Sequence, residues 1–486
     1  MTPNISSLKE KSASAVVWNA IERFSVQGVN FVISLIIARL VSPDDFGAIA
    51  MLAIFLGIAN TFVDGGFANA LIRKIDRTEA DNSTAFYFNI AVGVVAYLIL
   101  FLTAPIISSF YSIPILTLVL RVVALSIVFN SLAIVQQAIL TSEINFKIQA
   151  KIALIAACTS GGIGIVMAYA DCKVWALVAQ ILTSSFLRML LLWSNAHWKP
   201  LRIFSMQSFR EMFNYGSKLL VSNLIVNISD GLTGLIIGRR FSAESLGYYN
   251  RAEQFTYFPV NNISSILQRV TFPVLSKKQN DVVALRHYYL KIITITAMLV
   301  IPAMALLGIF AEPIVVTLLT DKWISLVPLM QILVFNAIWM PFSALNINII
   351  CVVGHSDHVL KIELLKGILR IIAILLSMPY GIVCICVSLV VTSFICSFIY
   401  TGYTKHSIGV DWLQQTRCMI PYILMSAVAA FIGYAMSCIT SIVMARLFIG
   451  IASFVTVYFI LLMCFDRENI HFVKTFIPHQ QKKLIK

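Results

Sequence analysis

Apolar residues run through this chain in long blocks, each broken by a few charged or polar positions, glycines or prolines. A bilayer core of about 30 Å takes about 20 residues of helix, so each block is long enough to cross one. The pattern predicts fourteen spanning helices, over 14–40, 46–72, 83–108, 113–140, 150–170, 173–194, 215–239, 252–275, 287–311, 323–352, 358–379, 382–404, 418–438 and 442–464. The fold class expected is therefore an all-α polytopic membrane protein, with two pseudo-symmetric six-helix lobes and two further C-terminal helices. The lobes take 1–195 and 215–405, a linker takes 196–214, and 406–486 holds the last two helices and a basic tail. In the linker, Trp198 and Phe204 beside Lys199 and Arg202 suggest a segment lying along the membrane surface.

The division into halves rests on a repeat. Leu35 to Gly47 reads LIIARLVSPDDFG, and Leu235 to Gly247 reads LIIGRRFSAESLG. The identities are Leu35/Leu235, Ile36/Ile236, Ile37/Ile237, Arg39/Arg239, Ser42/Ser242 and Gly47/Gly247. Each copy closes one apolar span with arginine, turns at a serine followed by an acid, and opens the next span. A duplicated half explains this and predicts two related bundles.

Composition fixes the solvent. With 59% hydrophobic and 12% charged residues the chain departs from soluble domains, where roughly a quarter are charged. A net charge of +14 without a basic, aromatic-interleaved soluble surface excludes a nucleic-acid partner. Most lysines and arginines outside the spans fall on the N-terminal side, among them Arg73, Lys74, Lys199, Arg202, Lys277, Lys278, Lys405 and Lys482. The other side holds Arg39, Lys173, Arg239, Arg240, Arg251 and Lys322. That bias predicts both termini in the cytoplasm. The N-terminus is polar through Lys11 and the first span lacks an A-x-A site, which reads as a first helix and not a removed leader. The nine cysteines lie mostly in apolar spans and form neither a disulfide framework nor a metal site.

Charges at membrane depth cost about 3 kcal/mol each even on generous scales, so they face a partner or a wet cavity. Arg188 and Arg446 lie near helix ends and reach the interface. Arg370 lies about twelve residues into its span, too deep to do so, with Lys366 and Glu363 on the same face. A Glu363–Lys366 pair that only holds the bundle is the competing reading. Arg23, Arg121 and Arg269 are further deep cations, while Arg39 and Arg239 either line the path or anchor the interface. Asp64, followed by Gly65 and Gly66, and Asp230 are coupling or hinge candidates. An excess of deep cations suits an anionic ligand, because guanidinium grips phosphate oxygens in a fork. Asp44 and Asp45 invite a catalytic reading. Ser42-Pro43-Asp44-Asp45 is instead a helix start, with a capping serine, proline first and acids at the positive dipole end. With no Gly-rich phosphate loop, HExxH or GxSxG, neither an enzyme nor ATP-driven transport is expected.

The stretches ARLVSPDDFGAIAMLAIF (Ala38 to Phe55), DGGFANALIRK (Asp64 to Lys74) and LGYYNRAEQFTYFPVNNISSILQRVTFPVLSK (Leu246 to Lys277) resemble one known family. It is the oligosaccharide flippase branch of the multidrug/oligosaccharidyl-lipid/polysaccharide (MOP) exporter superfamily, nearest the Wzx-type lipopolysaccharide or exopolysaccharide translocases. The resemblance implies translocation of an undecaprenyl-pyrophosphate-linked oligosaccharide across the bacterial inner membrane. It implies membrane lipids, a polysaccharide polymerase and chain-length proteins as partners. No cofactor is expected, and a proton or a sodium ion is left as the coupling ion. The family's cavity cations correspond by depth to Arg23, Arg269, Lys366 and Arg370. A multidrug exporter of the same superfamily is the alternative, and after it a membrane glycosyltransferase or polymerase.

Overall fold

The computed structural model describes residues 25–74, 76–196, 198–276, 281–353 and 356–469. Within them the regular structure is entirely helical, and eleven segments are long and apolar enough to cross a membrane. The chain divides into two compact units, one up to Gly247 and one from Tyr248.

The first unit holds α1 (Ser25–Leu40), α2 (Pro43–Asp64), α3 (Phe67–Arg73), α4 (Glu79–Tyr111), α5 (Ile115–Val123), α6 (Leu125–Ser142), α7 (Phe146–Tyr169), α8 (Val174–Ala196), α9 (Met206–Arg240) and the start of α10 (Ala243–Ser276). Two predicted spans are interrupted. The second breaks where Gly65 and Gly66 take φ of 46° and 73°, a conformation that suits glycine. The fourth changes from α5 to α6 at Ala124.

The Ser42 start is as the sequence predicts. Its Oγ accepts from the Asp45 backbone N–H at 3.3 Å and donates to the Asp45 carboxylate at 2.7 Å, with Pro43 in the first helical position. The second copy repeats this, Ser242 Oγ accepting from Ser245 N–H at 3.0 Å. The copies also touch. A Cβ built on Gly47 would lie 1.6 Å from the carbonyl oxygen of Ala243, and one on Gly247 would lie 2.1 Å from that of Pro43. Positions 43 and 243 correspond in the repeat, as do 47 and 247, so the contact is reciprocal. The two helix starts cross with backbone against backbone, which only glycine permits. The equivalent Ile37 and Ile237 are both fully buried.

The segment between α8 and α9 packs against the start of α4. Trp198 is buried, its indole N–H donating to Glu79 at 2.6 Å. The backbone N–H groups of Leu201 and Ser205 donate to Ser83 Oγ and Thr84 Oγ1 at 3.0 and 2.9 Å. Its polar backbone is thus satisfied by the first turns of α4. Phe204 remains exposed. Beyond it, α9 begins at Met206, earlier than the apolar pattern indicates, because Ser205 caps it through the Ser208 N–H.

The second unit holds the rest of α10 with α11 (Val282–Ile309), α12 (Ala311–Leu318), α13 (Val327–Val352), α14 (Ser356–Ser377), α15 (Ile382–Ile408), α16 (Trp412–Ser437) and α17 (Val443–Phe465). A buried polar knot ties four of these together. Asn346 Oδ1 on α13 accepts from Tyr289 Oη (2.8 Å, α11), Thr404 Oγ1 (2.6 Å, α15) and Gln415 Nε2 (3.2 Å, α16). In hydrocarbon such bonds hold helices together, since each group needs a partner.

Candidate functional site

α10 and α14 are the two long helices missing from the apolar spans. Both carry charge at positions the flanking pattern would make apolar: Glu253 and Arg269 on α10, and Glu363, Lys366 and Arg370 on α14. A helix that keeps charge at this depth spends solvation energy on it, which marks these two as the place to look.

On α14, Lys366 Nζ lies 3.5 Å from Glu363 Oε2, with both side chains part-exposed, at 40% and 36%. Glu363 also accepts from Tyr400 Oη of α15 at 2.6 Å. The Glu363–Lys366 pair of the competing reading is therefore formed. Arg370, one turn on, is half-buried and close enough to Tyr249 and Tyr257 of α10 to interact with them electrostatically. Around it Tyr249 Oη donates to Glu253 at 3.2 Å, Asn336 Nδ2 donates to Tyr257 Oη at 2.5 Å, and Ser393 Oγ donates to Asn336 Oδ1 at 2.5 Å. Helices α10, α13, α14 and α15 thus present a hydrogen-bonded aromatic and amide wall beside one guanidinium. Arg269 lies on α10 and its side chain is outside the described set.

In the first unit a second polar seam runs across α2, α6, α8 and α9. Asn130 Nδ2 donates to Asn60 Oδ1 at 3.1 Å, and Asn227 Nδ2 donates to Thr61 Oγ1 at 2.9 Å. Arg188 Nη2 donates to Gln137 Oε1 at 3.0 Å and is close enough to Asp64 for their charges to interact. Arg188 therefore joins this seam. Asp64 is the exposed last residue of α2, and Asp230 is exposed on α9.

The remaining predicted residues are scattered. Arg121 of α5 is held against α4, its Nε donating to the Phe101 carbonyl at 3.2 Å and its guanidinium 4.3 Å from the Phe101 ring centre. Arg239 is exposed with its guanidinium 5.2 Å from the Phe110 ring centre, and Arg39 is exposed at the end of α1. Arg23 lies outside the described residues. Aromatic seating of this kind suits interfacial anchors. Outside the spans, Lys74 bridges Asp81 (2.9 Å) and Glu211 (3.0 Å), and the Asp81 hydrogen bond raises its ammonium above the usual lysine range.

Glu253, Asn336, Asn60, Asn130 and Gln137 are absent from the sequence-based expectation. The amides gave a weaker signal than arginine or lysine because they cost less to bury, whereas Glu253 was legible as a carboxylate inside an apolar run.

The profile of a family described as polysaccharide biosynthesis protein matches residues 36–328. Among named proteins, the teichuronic acid biosynthesis protein TuaB of Bacillus subtilis is 24% identical over 72% of this chain and 73% of its own length. The lipopolysaccharide biosynthesis protein WzxC of Escherichia coli is 25% identical over 67% of each. The succinoglycan biosynthesis transport protein ExoT of Rhizobium meliloti is 23% identical over 69% of this chain and 68% of its own. Among solved structures, an inward closed conformation of the lipid II flippase MurJ superposes with a TM-score of 0.78 at 15% identity, over 93% of this chain and all of that one. An inward-facing multidrug resistance MATE transporter of the MOP superfamily gives 0.64 at 16% identity, over 80% and 98%.

Proposed function

Since this chain belongs to the polysaccharide biosynthesis protein family, we propose that it is a flippase. Its cargo is an undecaprenyl-pyrophosphate-linked oligosaccharide repeat unit, carried across the bacterial inner membrane by alternating access for lipopolysaccharide or exopolysaccharide synthesis. The names borne by relatives, among them a transport protein, favour carriage over catalysis. A fold shared with both a lipid flippase and a multidrug exporter is compatible with either cargo.

The observation that carries the reading is Arg370: a guanidinium kept at membrane depth on a helix too polar to be an ordinary span, beside tyrosine and amide groups. A diphosphate accepts from guanidinium in a bidentate fork, and hydroxyl and amide groups suit sugars. Glu253 and Glu363 balance the local charge while no cargo is bound, and the arriving diphosphate replaces them as the anionic partner. Lys366, already paired with Glu363, is the weaker contributor of the two.

In this reading α10, α14 and a complete α1 join the eleven apolar segments to make fourteen spans, with both termini cytoplasmic. The lobes are 1–195 and 215–405 as the apolar pattern gives them, and the last residues of the 196–214 linker form the start of α9. Arg23 and Arg269 supply further positive charge along the route, and Arg39, Arg121 and Arg239 add to it at its interfacial ends, where Arg121 and Arg239 rest on phenylalanine rings. Asp64 and Asp230 remain the candidates for coupling to a proton or sodium ion. A polymerase and chain-length proteins act on the outward-facing product.

Deleting the gene should leave lipid-linked repeat units accumulated on the cytoplasmic leaflet. Restoring it with Arg370→Ala should abolish export at normal protein level, a loss of about 100-fold for one charged contact of about 3 kcal/mol. Arg370→Lys should recover part of it. Full export from both variants removes Arg370 from the mechanism, and outward-facing units left unpolymerised in the deletion point to a polymerase instead.

A further inference from the structure

The second unit carries a cavity of about 490 Å³ at the neighbouring ends of α14 and α15, away from Arg370. That volume is ordinary for a small-molecule site. Its lining changes character along α15. Phe398 and Ile399 lie two to three turns before the helix end, whereas Tyr403, His406 and Ser407 lie within its last two turns. His358, in the first turn of α14, faces Tyr403 with ring centres 5.1 Å apart. The apolar and polar parts are therefore separated by roughly 10 Å along the helix axis, at 1.5 Å per residue.

The space is open on the α15 side, since a Cβ on Gly402 would meet nothing within 4 Å. Basic residues flank it, with Asp357 next to His358 in the sequence. Lys405 adjoins His406, Lys361 follows His358 by one turn on the same face, and Arg286 Nη1 lies 4.0 Å from a Cβ position on Gly409. The nearby carboxylate of Asp411 is committed as the N-cap of α16, accepting from the Gln414 N–H at 2.9 Å.

We infer that this cavity binds an anionic phospholipid of the adjoining leaflet. An acyl chain lies along Phe398 and Ile399, and the phosphate meets the imidazoles of His358 and His406 and the Tyr403 hydroxyl. The lining matches an amphiphile because it turns from apolar to hydrogen-bonding toward the membrane boundary, where headgroups lie. The basic rim selects an anionic headgroup over a zwitterionic one. A free phosphate shares the headgroup chemistry and lacks the chain.

The test uses the full chain in mild detergent, with retained lipid counted by native mass spectrometry. Phosphatidylglycerol and phosphatidylcholine of identical chains are compared, and inorganic phosphate is tested by thermal shift. Gly402→Phe fills the space, and the double variant His358→Gln/His406→Gln keeps the volume while removing the imidazoles. The parent should retain phosphatidylglycerol over phosphatidylcholine. Both variants should lose that retention by about tenfold, the equivalent of one charged hydrogen bond, with phosphatidylcholine unaffected. Equal retention of the two lipids by the parent overturns the proposal. So does parent-like phosphatidylglycerol retention in the folded variants, or stabilisation by inorganic phosphate as strong as by the lipid. If Gly402→Phe fails to elute as a monodisperse species, the histidine variant decides alone.

Discussion

Replacing Gly47 by alanine adds a single methyl group at the reciprocal crossing of the two repeat copies. Its ideal position is 1.6 Å from the Ala243 carbonyl oxygen, 2.4 Å from the carbonyl carbon and 2.9 Å from Cα. A carbon and a carbonyl oxygen approach to about 3.3 Å at closest, so the helices must separate by about 1.7 Å. All three atoms are backbone, so no rotamer change gives relief. Overpacking of this kind costs about 1–3 kcal/mol, and a clash this deep belongs near the top of that range. Alanine returns about 0.5–1 kcal/mol of helix propensity. The net expectation is a destabilisation of about 2 kcal/mol, read from the midpoint of denaturant unfolding in detergent. Gly247→Ala, whose methyl would sit 2.1 Å from the Pro43 oxygen, should behave alike. The double variant should cost clearly less than the sum, because one separation accommodates both methyls. Gly162 on α7 is the control: its Cβ meets nothing within 4 Å, so alanine there should leave stability unchanged or raise it. Parent-like stability of Gly47→Ala, or strict additivity of the pair, refutes the reciprocal contact.

Two other substitutions read the packing of each unit. Asn346→Leu removes the acceptor shared by Tyr289, Thr404 and Gln415, all buried; leaving even one donor unsatisfied costs about 1–3 kcal/mol, and unfolding of the second unit should report it. Lys74→Met deprives the nearly fully buried Asp81 of its cation while the Thr78 bonds remain, for a loss of about 1 kcal/mol and faster hydrogen exchange in 206–216. Glu211→Gln, on the exposed end of the same bridge, should speed exchange there less than Lys74→Met does.

The repeat and its helix starts were legible because they rest on local chemistry. Ser42 and Ser242 cap through residues three positions on, a spacing visible in the sequence. The reason for the shared glycine was not, since it lies in a contact between positions two hundred apart. The Glu363–Lys366 pair was legible for the same local reason, as an i, i+3 spacing on one helix face. Its neighbourhood was not: Tyr400 comes from α15, and Tyr249 and Tyr257 come from α10. In the linker, the burial of Trp198 was not legible from its basic neighbours. The partner that withdraws Trp198 from the surface, Glu79, is far away in sequence. For Arg188, distance from the helix end measures reach, while its partners Gln137 and Asp64 come from other helices and were not legible.

The same distinction bears on Asp64-Gly65-Gly66. Two successive glycines after an acid read equally as a flexible point or as packing, and the geometry favours packing. A Cβ on Gly66 would meet Gly216 Cα at 2.6 Å, and one on Gly216 would meet the Gly65 carbonyl oxygen at 2.5 Å. The break between α2 and α3 is therefore pressed against α9, with Arg73 seated 4.8 Å from the Tyr215 ring centre and Lys74 bridged to Glu211 a turn away. Positive φ at both glycines supplies the turn, and their missing side chains supply the close approach. A hinge needs free space or weak contacts to move through. This corner instead fixes α9 to the helices before it at one end, as the glycine crossing at Gly47 and Ala243 holds the far end of the same unit.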